Sequence, residues 1–391
     1  MLESMIVKQR LDYLFFLFLV ASINIFLVNV LTLSPIYFAF VISFFLFFCL
    51  FSFRPNIRLT EIQKDEGFLV LSLFIVCISI LVTTVLNQGN VRTCISVIFP
   101  YIYFIFSFSI IKVPKKHIIK SLYVLKNITL ILFFIEVVYR FSHSVPQHSY
   151  FYIYDYKHNS IMFPDTNATA VCIEFFLCFL LYLRERKIIH VNYFEILFTI
   201  CLLILSFSRA ALFGFFCLFG YLFFIKAKSF FVKIFMIISI FIAFFYVLLY
   251  FFSDGSFLIR LDIFVKTMEY IKRIDFLHLF FGNGLDSSVR FLSRYGHNFV
   301  TLFIIELGIN AFILLLFFFA CLIAKTKYSL FMIIPYVTTG LSYMPFVIPF
   351  FFLYLGLIYN IELHRNDLFN STKIRTKKYG KIYCICFTYR R

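Results

Sequence analysis

Apolar residues run in long blocks along this chain, broken by short polar segments, and the blocks recur from end to end. A run of about 20 apolar residues is the length that crosses a hydrocarbon core as a helix. With no water to satisfy backbone groups there, such a run has to be helical. The pattern predicts twelve spans, at 12–32, 36–53, 67–86, 94–111, 118–139, 167–183, 191–207, 209–225, 231–252, 298–323, 328–344 and 346–361. The first is too long for a signal-peptide core and lacks a small-residue cleavage site, so it reads as a retained helix. The expected fold is an all-α polytopic membrane protein forming one transmembrane domain over 1–391.

Composition agrees. The chain is 62% hydrophobic and 14% charged, with mean hydropathy +0.96, whereas a soluble domain carries about 25% charged residues. Phe supplies 62 residues and Trp none, which reads as AT-rich coding bias and not as an aromatic binding surface. The net charge of +17 would suit nucleic acid, but its placement excludes that reading. With the N-terminus in the cytoplasm, about 25 of the 36 Lys and Arg residues fall in cytoplasmic segments, as the positive-inside rule requires. Both termini are then cytoplasmic, and the basic tail 362–391 lies beside anionic lipid.

Ten cysteines are present. Eight lie within or at the ends of apolar spans, Cys384 and Cys386 are in the basic tail, and no CxxC pair occurs. Neither a disulfide framework nor a zinc site is indicated.

Two external segments exceed ordinary turns. Residues 140–166 are rich in His and Tyr, with His143, His148, His158 and Tyr150, Tyr152, Tyr154 and Tyr156 as potential sugar contacts or ordinary loop residues. Residues 253–297 precede the tenth span and carry, from Phe257, "FLIRLDIFVKTMEYIKRIDF", whose apolar spacing and i,i+4 charge pairs predict an amphipathic helix on the outer membrane face. Arg209 opens the eighth span from the outside. It either snorkels to the headgroups or grips a phosphate with its planar fork. His297 stands at the start of the tenth span, and Glu306 lies well inside it, as a packing partner for an Arg or as a group that tunes His297.

Together these segments resemble the O-antigen polymerase (Wzy class) and ligase superfamily. The resemblance rests on "SFSRAALFG" at a span edge and on "FFGNGLDSSVRFLSRYGHNFVTLFIIELG" after a long external loop. In that family the loop opens with an Arg ahead of an amphipathic helix, here Arg260. It passes a GxG turn, here Gly282–Asn283–Gly284, and closes on "HN" some eleven residues before a Gly, here His297 and Gly308. Arg followed by Gly eleven positions on occurs as Arg209…Gly220 and Arg273…Gly284. The likeness covers about residues 200–310.

It implies a metal-independent glycosyltransferase acting on lipid-linked sugars at the periplasmic face of a bacterial inner membrane, with no cofactor. No D-x-D spacing occurs anywhere in the chain, so a divalent-metal diphosphate site has no visible ligands. Arg residues would then stabilise the diphosphate leaving group, and a His near neutral pKa would take the proton of the attacking hydroxyl. The candidates are Arg209 and Arg260 for diphosphate, His297 as base, and Arg290, Arg273 and Glu306 as substrate-binding residues. The implied partners are an undecaprenyl-diphosphate-linked oligosaccharide and membrane lipid. A chain-length regulator protein is also allowed, and nucleic acid is not expected. The expected reaction is repeat-unit polymerisation. Its rivals are ligation to lipid A core and, from another class, a lipid-linked oligosaccharide flippase. A flippase would carry charge along its spans and short external loops.

Overall fold

The computed structural model describes residues 35–365 apart from 53–63, 108–114, 145–155, 158–159, 164–165, 232, 235–237, 239–254, 294–295, 297 and 345–347. The predicted span 12–32, most of 231–252, and the tail beyond 365 lie outside the described residues. Among the described residues every regular element is helical and none is a strand.

In chain order the helices are α1 (Pro35–Ser52), α2 (Lys64–Leu86), α3 (Val91–Phe106) and α4 (Lys115–His143). Then come α5 (Thr166–Glu185), α6 (Tyr193–Leu205) and α7 (Arg209–Lys226). The segment between predicted spans nine and ten holds α8 (Gly255–Arg273), α9 (Phe276–Phe281) and α10 (Ser288–Leu292). The chain closes with α11 (Phe299–Thr301), α12 (Gly308–Lys325), α13 (Leu330–Gly340) and α14 (Pro349–Leu363). Among the described residues five helices are long and apolar enough to cross a membrane: the Gly67–Leu86 part of α2, α4, α5, α7 and α12. α3, α6 and the Phe350–Leu363 part of α14 are apolar but shorter.

The outer faces of these helices are as apolar as the inner ones. On α2, Phe68, Leu71, Ile75, Ile78, Val82 and Val85 are exposed three and four positions apart, while Leu69, Leu73, Val76 and Ile80 are buried. A water-facing helix would be polar on that outer stripe. An apolar stripe continued along several helices is far larger than a soluble monomer tolerates and is compatible with a membrane protein. The core lies around α5 and α14, which pack on each other and on α3, α7 and α13. Residues 350–361 of α14 are buried on every side.

Helices run alternately, so the bundle has two distinct ends. At one end Lys226 pairs with Glu185 at 2.5 Å and Arg186 holds Glu362 through two nitrogens at 2.7 Å each. The other end, here called the Arg209 end, gathers the finish of α2, α4, α6 and α13 and the start of α3, α5, α7 and α12.

The predicted tenth span is not one continuous helix. α11 leads into a single π turn, Leu302–Glu306, and α12 begins only at Gly308, whose φ of +78° cannot occur inside a right-handed helix. Glu306 therefore precedes the apolar helix. The predicted amphipathic helix forms as α8. It turns Ile263 and Thr267 inward, Ile263 packing with Leu292 and Ile305, and leaves Leu258, Ile259, Val265 and Met268 exposed.

Among the described residues, five charges that fall within predicted spans meet partners. Lys126 pairs with Glu195, joining α4 to α6. Glu136 lies 4.0 Å from Arg140 and accepts the N–H of Ile161 at 2.9 Å. The hydroxyl of Thr339 lies 2.9 Å and 3.0 Å from the two oxygens of Glu174. Glu306 accepts the N–H of Ser288.

Candidate functional site

Two clusters form at the Arg209 end. The first is built on the finish of α13. Arg209 is the first residue of α7, half-buried, with Ser208 as its N-cap. One residue on, the carbonyl of Ala210 accepts the Thr339 hydroxyl at 3.3 Å, so the start of α7 is tied to the last turn of α13. Gly214 lets Glu174 into this joint, because a Cβ there would collide with both the Glu174 carboxyl and the Thr339 hydroxyl. Three residues beyond Thr339, Ser342 accepts a hydrogen bond from Arg260 of α8. Phe299 closes the same place: its ring lies against Gly340, where no Cβ would fit, and against Tyr336 with centroids 5.2 Å apart. The end of α13 thus collects Arg209, Arg260 and the Asn298–Phe299 start of α11, which are far apart in the chain.

The second cluster is the turn Gly282–Asn283–Gly284. The π turn leaves two carbonyls facing it: Ile305 O accepts Asn283 N–H at 2.8 Å, and Glu306 O accepts Gly284 N–H at 2.9 Å. Gly282 and Gly308, with φ of +77° and +78°, meet backbone to backbone, and a Cβ on either would lie under 3.0 Å from the other's strand of chain. Asn87, at the end of α2, donates to Gly282 O at 3.1 Å, and Thr93 of α3 donates to Asp286 at 2.6 Å. Beneath this turn Glu306 is 4% exposed, and its Oε1 lies 3.3 Å from Ser288 N. Burial pushes its carboxyl up to about 7, against the Ser288 N–H that favours the ionised form.

The predicted residues therefore divide. Arg209 and Arg260 come to the same helix end. Arg273 sits thirteen positions from Arg260 on α8, about 20 Å along the axis. It is exposed on a cleft of about 730 Å³ that also takes in Lys266, Tyr270, His278 and Asn283. Arg290 is exposed at a smaller cavity beside the glycine turn. Glu306 faces the Ser288 backbone within the protein. His297 lies outside the described residues, as do Arg294, His148, His158 and Tyr150 to Tyr154; the flanking Asn298 caps α11 by accepting Thr301 N–H at 2.9 Å. His143 stacks on Tyr139, and Tyr156 packs against Phe141.

Several contributors were invisible to sequence reading. Thr339 and Glu174, 165 positions apart, are joined only by helix packing, as are Arg260 and Ser342, and Asn87 reaches a residue 195 positions away. Arg140, read as a loop cation, is 1% exposed and donates to Leu205 O at 2.8 Å, closing the end of α6 next to Arg209. Its i,i+4 spacing to Glu136 was the available signal. Among the described residues no group of three metal-binding side chains occurs. The chain matches no protein-family model and has no significant match among curated proteins.

Proposed function

We propose that this protein is an O-antigen polymerase, transferring a growing glycan from undecaprenyl diphosphate to the next lipid-linked repeat unit. In this reading it has about twelve spans in a bacterial inner membrane, with both termini cytoplasmic and the Arg209 end in the periplasm. The observation that carries the reading is that the start of α7, which Arg209 opens, and the Arg260–Ser342 hydrogen bond lie at the same end of α13. Two guanidinium groups on separate elements at one helix end suit a diphosphate, whose charge grows as the glycosidic C–O bond to phosphate breaks. The orientation is supported by the basic residues of the opposite end, among them Lys115, Arg186, Lys226 and Lys325.

The proposed step balances simply. A hydroxyl of the acceptor sugar attacks the anomeric carbon of the donor glycan. The new C–O bond forms as the bond to diphosphate breaks, His297 takes the hydroxyl proton, and undecaprenyl diphosphate leaves against Arg209 and Arg260. No metal ion or cofactor is needed in this scheme. A chain-length regulator protein is a partner this reading allows.

The test is the glycan ladder at matched protein level. Arg209→Lys keeps the charge and loses the bidentate fork, so long chains should disappear while single repeat units still reach the periplasmic face. His297→Ala should do the same, since loss of a general base costs about 10²–10⁴ in rate. A normal ladder from Arg209→Lys removes Arg209 from the site and the reading loses its support.

A further inference from the structure

We propose that the small cavity between the α2–α3 turn and the Gly282–Ser288 loop is a binding site for a single neutral sugar ring. It is open on one side and has a volume of about 200 Å³. At about 30 Å³ per water, that is six or seven waters, on the scale of one hexose and short of a disaccharide. Its wall is made of amides from two separate segments, Asn87, Gln88 and Asn90 on one side and Asn283 on the other, with Asp286 and Arg290 beside them. The NH2 groups of Asn87 and Asn283 donate to Gly282 O and Ile305 O, which leaves their oxygens to accept, while the Asn90 oxygen caps α3, which leaves its NH2 to donate. Donors and acceptors together match a ring of hydroxyls, each of which does both. An anion would want donors alone, and the Asp286 carboxylate in the wall opposes it.

Three features mark the cavity as built and not incidental. Ser287 lines it, is 4% exposed, and its Oγ has no hydrogen-bond partner within the protein. A buried hydroxyl left unpaired is costly, and a sugar hydroxyl would satisfy it. Two wall residues that are not glycine, Gln88 and Asp286, hold left-handed φ of +53° and +66°, a strain that collects at ligand sites. The two walls are brought together by glycines: a Cβ on Gly89 would lie 3.2 Å from the Gly284 Cα and 3.0 Å from Leu285 N. Asn87 and Asp286 are meanwhile fixed by their bonds to Gly282 O and Thr93, so the site is rigid before a ligand arrives.

That the ring belongs to the lipid-linked glycan rests on the polymerase reading; the preference for a neutral polyol does not. The experiment is saturation-transfer NMR on the purified full-length protein in nanodiscs. Glucose, galactose and N-acetylglucosamine are the probes, each alone and with equimolar inorganic phosphate. At least one sugar should receive saturation, unchanged by phosphate and reduced at least tenfold in Ser287→Leu, which fills the cavity. Gln88 is exposed at the rim, so Gln88→Leu should keep the fold, and it decides the matter if Ser287→Leu does not fold: the sugar signal must fall there too. No transfer to any of the three sugars, full transfer in the folded variants, or displacement by phosphate overturns the proposal. This readout involves no turnover. A normal ladder from Arg209→Lys would therefore sink the polymerase reading and leave the cavity standing, and loss of the sugar signal would do the reverse.

Discussion

Gly308→Ala tests the joint on which the loop depends. The φ of +78° at Gly308 costs a residue with a Cβ about 1–2 kcal/mol. The new Cβ would also lie under 3.0 Å from Phe280 O, Gly282 N and Phe281 C. These are backbone atoms of α9 and the glycine turn, which cannot swing aside as a side chain would. Overpacking of this kind adds about 1–3 kcal/mol, so the expected loss is about 2–5 kcal/mol. Because Asn283 and Gly284 hang from the π-turn carbonyls, the strain should appear first as release of the 282–292 segment. The assay is limited trypsin digestion of purified protein, followed at Arg290, together with the thermal unfolding midpoint. Gly67→Ala is the matched control: nothing lies within 4 Å of a Cβ there, and Ala for Gly in a helix should gain up to about 1 kcal/mol. Gly308→Ala should cleave faster at Arg290 and melt earlier, while Gly67→Ala should do neither. Equal cleavage and melting for Gly308→Ala and the parent chain would refute the backbone-to-backbone joint.

Three further outcomes are expected. Glu306 holds its proton up to about pH 7 in the fold against about 4.5 when unfolded, so the folded chain binds more protons in that window. Its contribution is then largest at low pH and falls as pH rises, by at most about 3 kcal/mol; Glu306→Gln should flatten the melting midpoint between pH 5 and 8, and an unchanged slope would contradict its burial. In intact spheroplasts, a cysteine at Glu269 should react with a membrane-impermeant thiol reagent above the signal of the native cysteines, and one at Lys187 should not; the opposite pattern would invert the proposed orientation. Glu362→Gln weakens the two-pronged hold on Arg186 and should lower stability by about 1–3 kcal/mol, read as an earlier thermal midpoint, whereas a midpoint equal to the parent's would show the α5–α14 contact to be carried by packing alone.

The hydropathy pattern alone was enough for the helical class, because apolar runs of spanning length have one way to satisfy their backbone. Most predicted spans coincide with helices within a few residues, α2, α5 and α7 among them. The amphipathic segment was legible as α8 for a similar reason, since its 3.6 spacing is local. The break at 302–308 was not legible: "TLFIIELG" reads as uninterrupted helix, and only the approach of Gly282 to Gly308 makes the π turn and the left-handed glycine favourable. The site divides along the same line. Arg209 and Arg260 were visible as cations at an apolar edge, a property of each residue's neighbours in sequence. That the start of α7 and the Arg260–Ser342 hydrogen bond fall at the same end of α13 was not, and neither was the role of Arg140 at the end of α6 or of Ser287 in the small cavity. Each of those depends on which helix packs beside which. That is decided by close contacts such as Gly214 against Glu174 and Gly340 against Phe299, where the absence of one Cβ admits a neighbour from another helix some 40 positions away.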